Sequence, residues 1–241
     1  MAGRYTTRFA ENEADIGSAQ ALRFKAFRGG GEGTDADAFD LICKHILVEE
    51  TRTGRLACTF RLLPLADGAQ IGKSYSAQFF DLEGLHSVKG MIVEMGRFCI
   101  DPAFKDPDIV RVAWSVLTTF VDENNVKLLF GCSSFSGTDS KDYTDAFALL
   151  KERHLAPKHW LPKIKAPKVF RFAATLEPYK PDLRNAQKRM PPLLRTYLLM
   201  GGWVSDHAVV DNDLNTLHVF TGMEIGDIPA NRKRLLRAMA G

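Results

Sequence analysis

Apolar residues along the chain recur in two rhythms. Ile109, Val112, Ala113, Val116, Leu117, Phe120 and Val121 follow the three- and four-residue spacing of a helix with one buried face, and Pro107 and Asp108 stand where early-helix residues belong. Helices are also expected at 13–28, where Ile16, Ala19, Leu22, Ala26 and Phe27 keep near-helical spacing, and at 139–154. Runs at 4–9, 44–50, 55–65, 90–101 and 126–135 read as strands, with TRTG joining 44–50 to 55–65 as a hairpin. Further on, VFRFAATL (169–176) reads as a strand, PPLLRTYLLMGG as a short helix stopped by glycine, WVSDHAVVD and TLHVFTGM as two final strands, and the basic stretch at about 229–241 as an amphipathic helix. GGGEGTDAD (29–37) is a flexible loop and 74–85 is mixed.

The order is therefore β-α-β-β-β-α-β-α followed by shorter pieces, with no linker and no internal repeat, which predicts one mixed α/β domain over 1–241. A strand–helix–strand crossover after an antiparallel meander requires a parallel pair, and such a junction splays a sheet and opens a cleft. Composition agrees with an ordinary soluble protein: 241 residues, 45% hydrophobic and 25% charged. No run reaches the ~18 apolar residues of a spanning helix. The opening MAGRYTTRFAENEAD has no apolar signal core, which predicts a cytoplasmic location. Cysteines at 43, 58, 99 and 132 form no CxxC pair, the pattern of reduced thiols.

Three motifs are imitations. GAQIGKS (68–74) has three residues between its glycines where a phosphate-binding loop needs four. The six histidines form no metal-ligand spacing, so no metal is expected. The serines of CSSFSGT do not sit in a hydrolase elbow. More informative are charges inside apolar strands. Glu94 and Arg97 in VEMGRFCI must be paired or solvated by a cleft, and a bulge at Gly96 would bring them to one face. They are either a structural salt bridge or, with Arg23, Asp37, Asp40 and Arg61, part of a shared polar cleft.

These residues carry a resemblance. LRFKAF, DADAFD, TFRLLP, FFDL and EMGRFCIDP resemble the acyl-homoserine lactone (autoinducer) synthases, whose fold is that of the GCN5-related N-acyltransferases: a splayed, mixed β-sheet flanked by helices. The characteristic residues correspond to Arg23, Phe27, Asp37, Asp40, Arg61, Phe80, Glu94 and Arg97. The tryptophan of those synthases in the loop after the first helix is absent; that loop reads GGGEGT. The second half, with SFSGTD, PKVFRF, PPLL, GGWV and DNDLNT, resembles the hemolysin-like branch of the same superfamily, which includes ornithine N-acyltransferases.

The resemblance implies transfer of a 3-hydroxyacyl group from acyl carrier protein to the α-amine of a free amino acid, with no cofactor beyond that thioester. Ornithine is expected ahead of glutamine, and an autoinducer-type reaction is the further alternative. Glu94 is the expected base, with Arg97 beside it, and Tyr143 either the acid that protonates the leaving thiolate or a residue packed on Phe147. Arg23, Phe27, Asp37, Asp40, Arg61, Phe80, Cys132 and Ser133 form the expected substrate-binding set. DPAFKDPDIVRVAW lacks the glycine-rich pyrophosphate cradle of coenzyme A users, so a carrier arm with a single phosphate is expected at the amino end of the helix near Ile109, with Arg111 adding charge. Lys158, Lys163, Lys165 and Lys168 are a basic patch for the acidic carrier, or else a solvated loop; no nucleic-acid motif is present. The tail, with Arg232, Lys233, Arg234 and Arg237 beside Leu235, Leu236 and Met239, suits peripheral contact with the inner membrane surface, or is a plain terminal helix.

Overall fold

The computed structural model describes residues 3–240, apart from the side chains at 236 and 238–240. The apolar tail positions Leu236 and Met239 therefore lie outside the described residues, as do Met1, Ala2 and Gly241 of the expected domain. The chain forms two compact units interleaved in sequence: Met1–Pro64, Val93–Val126 and Ala230–Gly241 in the first, Leu65–Ile92 and Lys127–Pro229 in the second.

In the first unit, β1 (Tyr5–Phe9) pairs antiparallel with β2 (Lys44–Glu50), and β2 with β3 (Leu56–Leu65). Helix α1 (Glu13–Phe27) starts at Asn12, whose side chain accepts the Asp15 N–H, and buries Ala19, Leu22 and Arg23. Two apolar residues and an arginine on one helical face mean that Arg23 needs partners inside the fold. β5 (Ile92–Ile100) carries Glu94 and Arg97. The irregularity expected at Gly96 falls one residue later: Arg97 has φ of 54°, a left-handed conformation inside a strand. Helix α2 (Asp108–Glu123) buries Ile109, Ala113, Trp114, Leu117, Phe120 and Val121, as its periodicity predicts. The tail helix α7 (Ala230–Ala240) packs along α2, with Arg237 forking onto Asp122 at 2.9 and 3.0 Å.

The second unit is built on β6 (Leu128–Ser136), paired along its whole length with β11 (Thr216–Glu224). β11 also pairs with β10 (Ala208–Asp211), and β10 with β8 (Val169–Phe170). β9 (Trp203–Val204) pairs with β11 beyond the β10 register, so WVSDHAVVD is two short strands. The strand expected over 169–176 is likewise corrected. Only Val169 and Phe170 are extended; Phe172–Thr175 turns into helix α4, because Phe172 is drawn into the core beside Phe147 at 5.1 Å. Helix α3 (Thr144–Arg153) follows a 3-10 turn, Ser140–Tyr143, within the expected 139–154 helix. α5 (Leu183–Arg189) was not expected; Asp182 caps it, and Asp145 of α3 accepts hydrogen bonds from Asp182, Asn185 and Tyr179. β4 (Phe80–Asp81) pairs with β7 (Lys163–Ile164) in a small second sheet.

Three motifs of the second half, PPLL, GGWV and DNDLNT, sit at a short helix and at tight turns. α6 (Pro192–Leu199) carries PPLL, and a Cβ on Gly202 would stand 2.7 Å from the Tyr197 carbonyl oxygen. In DNDLNT, Asp211 accepts the N–H groups of Asp213 and Leu214, and Asn215 takes the left-handed conformation that turns β10 into β11. GAQIGK is a 3-10 turn, Gly68–Lys73, with no phosphate-loop geometry.

Candidate active site

Four separate segments of the first unit bring three arginines and three aspartates together. Arg23 comes from α1, Asp35, Asp37 and Asp40 from the segment after it, Arg61 from β3 and Arg97 from β5. Asp37 begins a 3-10 turn (Ala38–Leu41) by accepting the Phe39 N–H, while the Asp40 side chain accepts the Asp37 N–H. DADAFD is therefore a folded turn that turns its carboxylates toward the three arginines, and the acidic end of the loop expected over 29–37 is tied down by these bonds.

The six side chains close into a ring. Arg23 forks onto Asp40 at 2.7 and 2.8 Å and reaches Asp35 through Nε at 3.1 Å. Arg61 forks onto Asp37 at 2.6 and 2.8 Å and donates to Asp40 at 2.6 Å. Arg97 donates to Asp35 through Nε and to Asp37 through Nη2, both at 3.1 Å. Each aspartate is thus shared by two arginines and each arginine by two aspartates, so three positive and three negative charges cancel. Forked, charge-assisted bonds of this kind hold both distance and plane. Arg23 is 1% exposed, Arg61 3% and Asp40 4%, so exposure grows toward one edge, where the Arg97 and Asp37 side chains are 13% and 26% exposed. Gln20 adds a bond to Asp40 at 3.0 Å, and buried His45 lies 3.1 Å from the Asp40 carbonyl oxygen.

This arrangement sets protonation. Burial works to raise the Asp37 and Asp40 carboxyls, but the arginines outweigh it and hold both below the ordinary carboxylate value. Burial lowers the His45 imidazole. The half-buried Cys43 thiol is pushed up to about 12, by burial first; the charge of Arg61 opposes and that of Glu94 adds to it. Glu94 is therefore within electrostatic reach of the same spot, and its side chain is 5% exposed on β5, three residues before Arg97. The four cysteines are free thiols, and among the described residues no cluster of histidine, cysteine and acid side chains is arranged to hold a metal.

Arg23, Asp37, Asp40, Arg61 and Arg97 of the expected set meet; Phe27 lies half-buried near the end of α1. Arg23, Arg61 and Asp40 spend their charges on one another inside the fold, so they support the site, and the Arg97–Asp37 edge faces outward. Asp35 was missed; its signal was the first aspartate of DADAFD, outside the Asp-x-x-Asp spacing of Asp37 and Asp40.

The remaining expected residues belong to the second unit, except Arg111. Phe80 is 1% exposed and packed among His207, His218 and Phe220 at 5.3 to 5.8 Å. Ser133 accepts a hydrogen bond from Thr221 at 2.9 Å, and Cys132 lies 3.4 Å from the Ser76 hydroxyl. The Tyr143 ring stands edge-on to Phe135 at 5.0 Å, and its hydroxyl donates to the Ser136 carbonyl at 2.7 Å, so the expected proton donation competes with an existing bond. Lys158, Lys163, Lys165 and Lys168 are exposed; Lys163 pairs with Glu83 at 3.1 Å, and the Lys165 ammonium donates to the Ala77 carbonyl at 2.6 Å. At the start of α2, Asp106 already accepts the Asp108 N–H, and Asp108 pairs with Arg111 at 3.0 Å. Two carboxylates there disfavour the phosphate expected near Ile109.

Comparison with known proteins follows this geometry. Residues 22–115, which contain every member of the ring, match the family model described as acetyltransferase (GNAT) domain. The chain is 30% identical over 235 residues to the L-ornithine N(alpha)-acyltransferase of Rhodobacter capsulatus, covering 91% of this chain and 90% of that protein. It is 28% identical to the protein of the same name from Rhizobium meliloti, covering 98% and 85%. Among solved structures, FeeM, an N-acyl amino acid synthase from uncultured soil microbes, aligns over 98% of this chain and 97% of its own with a TM-score of 0.54 at 11% identity, a likeness of fold. An acetyltransferase-type domain spanning the charged ring, and a relative matched along nearly all of both chains, place this acyltransferase of GNAT fold in the L-ornithine N(alpha)-acyltransferase family.

Proposed function

We propose that this protein transfers a 3-hydroxy fatty acyl group from acyl carrier protein to the α-amine of ornithine, forming lyso-ornithine lipid. The observation that carries this reading is the neutral ring with its outward Arg97–Asp37 edge, Arg97 lying on the strand that also holds Glu94. A zwitterionic amino acid suits such an edge: its carboxylate takes the Arg97 guanidinium, and the side-chain ammonium of ornithine takes Asp37. Glutamine has no such cation.

Only a neutral amine is a nucleophile. The α-amine titrates near ~8 and a lysine-like side-chain amine near ~10.4, so near neutral pH the α position supplies far more free base. It attacks the thioester carbonyl; the C–N bond forms and the C–S bond breaks. Glu94 accepts the proton lost by the amine, and that proton ends on the departing thiolate. The exposed lysines of the second unit, Lys158, Lys163, Lys165 and Lys168, receive the acidic carrier protein. The exposed Arg234 of α7, beside Leu235 at 55% exposure, supports peripheral contact with an anionic membrane, whereas Arg237 is taken up by Asp122. Among the described residues no helix is long and apolar enough to cross one.

Expression in a host lacking such lipids, followed by lipid extraction and mass analysis, tests the reading: a new acyl-ornithine species is expected. With purified enzyme, labelled ornithine and glutamine compete at equal concentration for one acyl donor. Exclusive glutamine acylation moves the acceptor assignment, and acylation of S-adenosylmethionine instead of either supports the autoinducer-type reaction.

A further inference from the structure

Asp35 is the member of the ring that sequence reasoning passed over. It is 8% exposed, and its Oδ2 accepts from Nε of Arg23 and Nε of Arg97, each at 3.1 Å. Its carbonyl accepts a further N–H from Arg23, and its own N–H donates to the Gln20 carbonyl at 3.2 Å. We propose that Asp35 is a positioning residue for the acyl acceptor: it holds the Arg97 guanidinium at Nε, so that Arg97 meets the amino acid's carboxylate in a fixed orientation. This rests on the reading of Arg97 as the carboxylate-binding group.

Two observations lead there. Arg97 adopts a left-handed backbone conformation that is unfavourable for a residue with a Cβ, so neighbours rather than local preference keep it in place. Of its two aspartate partners, Asp37 is the more exposed and is the one a cationic side chain engages. The Asp35 side chain is only 7% exposed, so it is the partner of Arg97 set back from the surface. It also ties Arg97 to Arg23, the most deeply buried member of the ring.

The test is steady-state kinetics of Asp35→Asn, which keeps the shape and removes the charge. Loss of a charged hydrogen bond predicts a rise of about tenfold or more in the KM for ornithine. The KM for the acyl donor is expected to stay unchanged. Asp35→Glu should recover part of the loss, and Asp35→Asn should add little to Arg97→Lys. An unchanged ornithine KM, an equal rise for both substrates, or full additivity with Arg97→Lys overturns the proposal. Should Asp35→Asn not fold, the Arg97 Nε–H resonance of the wild-type chain, assigned by its loss in Arg97→Lys, replaces it. Slow solvent exchange is expected there, faster in Asp35→Glu; fast exchange in the wild type overturns the proposal. If the wild type acylates no amino acid, the acceptor reading falls, while the Nε–H signal separately reports whether Asp35 holds Arg97.

Discussion

A carboxylate inside an apolar strand has few ways to remain charged, and Glu94 is placed where its charge registers on a neighbouring thiol. The Cys43 thiol, held up to about 12 by burial and by the nearby negative charge of Glu94 against the pull of Arg61, is expected to react with alkylating reagents more slowly at pH 8 than an ordinary thiol. Burial and the charges of Glu94, Asp37 and Asp40 all raise it, and Glu94→Gln removes the largest of those charges, so Cys43 should alkylate faster in that variant, as mass spectrometry of the labelled peptide would read. An unchanged rate would separate Glu94 from this site. The same variant tests the chemistry. Loss of a general base lowers turnover by about 10²–10⁴-fold, so Glu94→Gln should lose at least about a hundredfold in kcat with little change in thermal melting. Near wild-type turnover would remove Glu94 from the reaction.

At the scale of elements, the acidic turn 35–41 is what joins α1, β3 and β5. Asp40 is its hub, accepting from Gln20, Arg23, Arg61 and the Asp37 N–H. Breaking a buried ion pair from one side leaves the partner's charge uncompensated, so Asp40→Asn should cost about 3–5 kcal/mol in denaturant unfolding. A carboxyl whose pKa is lower in the folded than in the unfolded chain stabilises the fold above its unfolded value, and that contribution is lost as pH falls toward the folded value. Asp37 and Asp40 are both lowered, so melting temperature should hold near neutral pH and fall once pH drops below about 4. In Asp40→Asn the acid fall should be shallower, starting from a lower melting temperature. Parallel curves for variant and wild type would show that the ring does not set acid stability.

At the scale of the whole molecule, the proposed function has the first unit hold the amino acid and the second present the basic segment to the donor. The acyl carrier protein thioester should therefore outperform the same acyl group on coenzyme A, and equal kcat/KM would count against it. Lys158→Glu with Lys168→Glu should raise the donor KM several-fold at low salt, with the effect fading as ionic strength shortens the ~10 Å screening length at 0.1 M. Lys163 and Lys165 make poorer probes, because one is paired with Glu83 and the other bonded to a backbone carbonyl. What the sequence by itself determined was local and periodic. The buried face of α2, the β2–β3 hairpin, the glycine-stopped α6 and the paired spacings Asp37–Asp40 and Glu94–Arg97 all depend on neighbours within a turn or along a strand. The late motifs pointed to the family for a related reason: a tight turn at Asn215 and a close approach at Gly202 each restrict which residues fit. Tertiary structure alone decided which charges meet. Arg97 joins Asp35 and Asp37 across 62 and 60 residues of chain, and Arg61 joins Asp37 and Asp40 across 24 and 21, separations at which residue type carries no record of its partner. It also made Asp35 part of the ring, set the Tyr143 hydroxyl on a backbone carbonyl and bent 172–175 into a helix. A buried charge must find its opposite, but where that opposite stands is settled only when helix, turn and strands close around it.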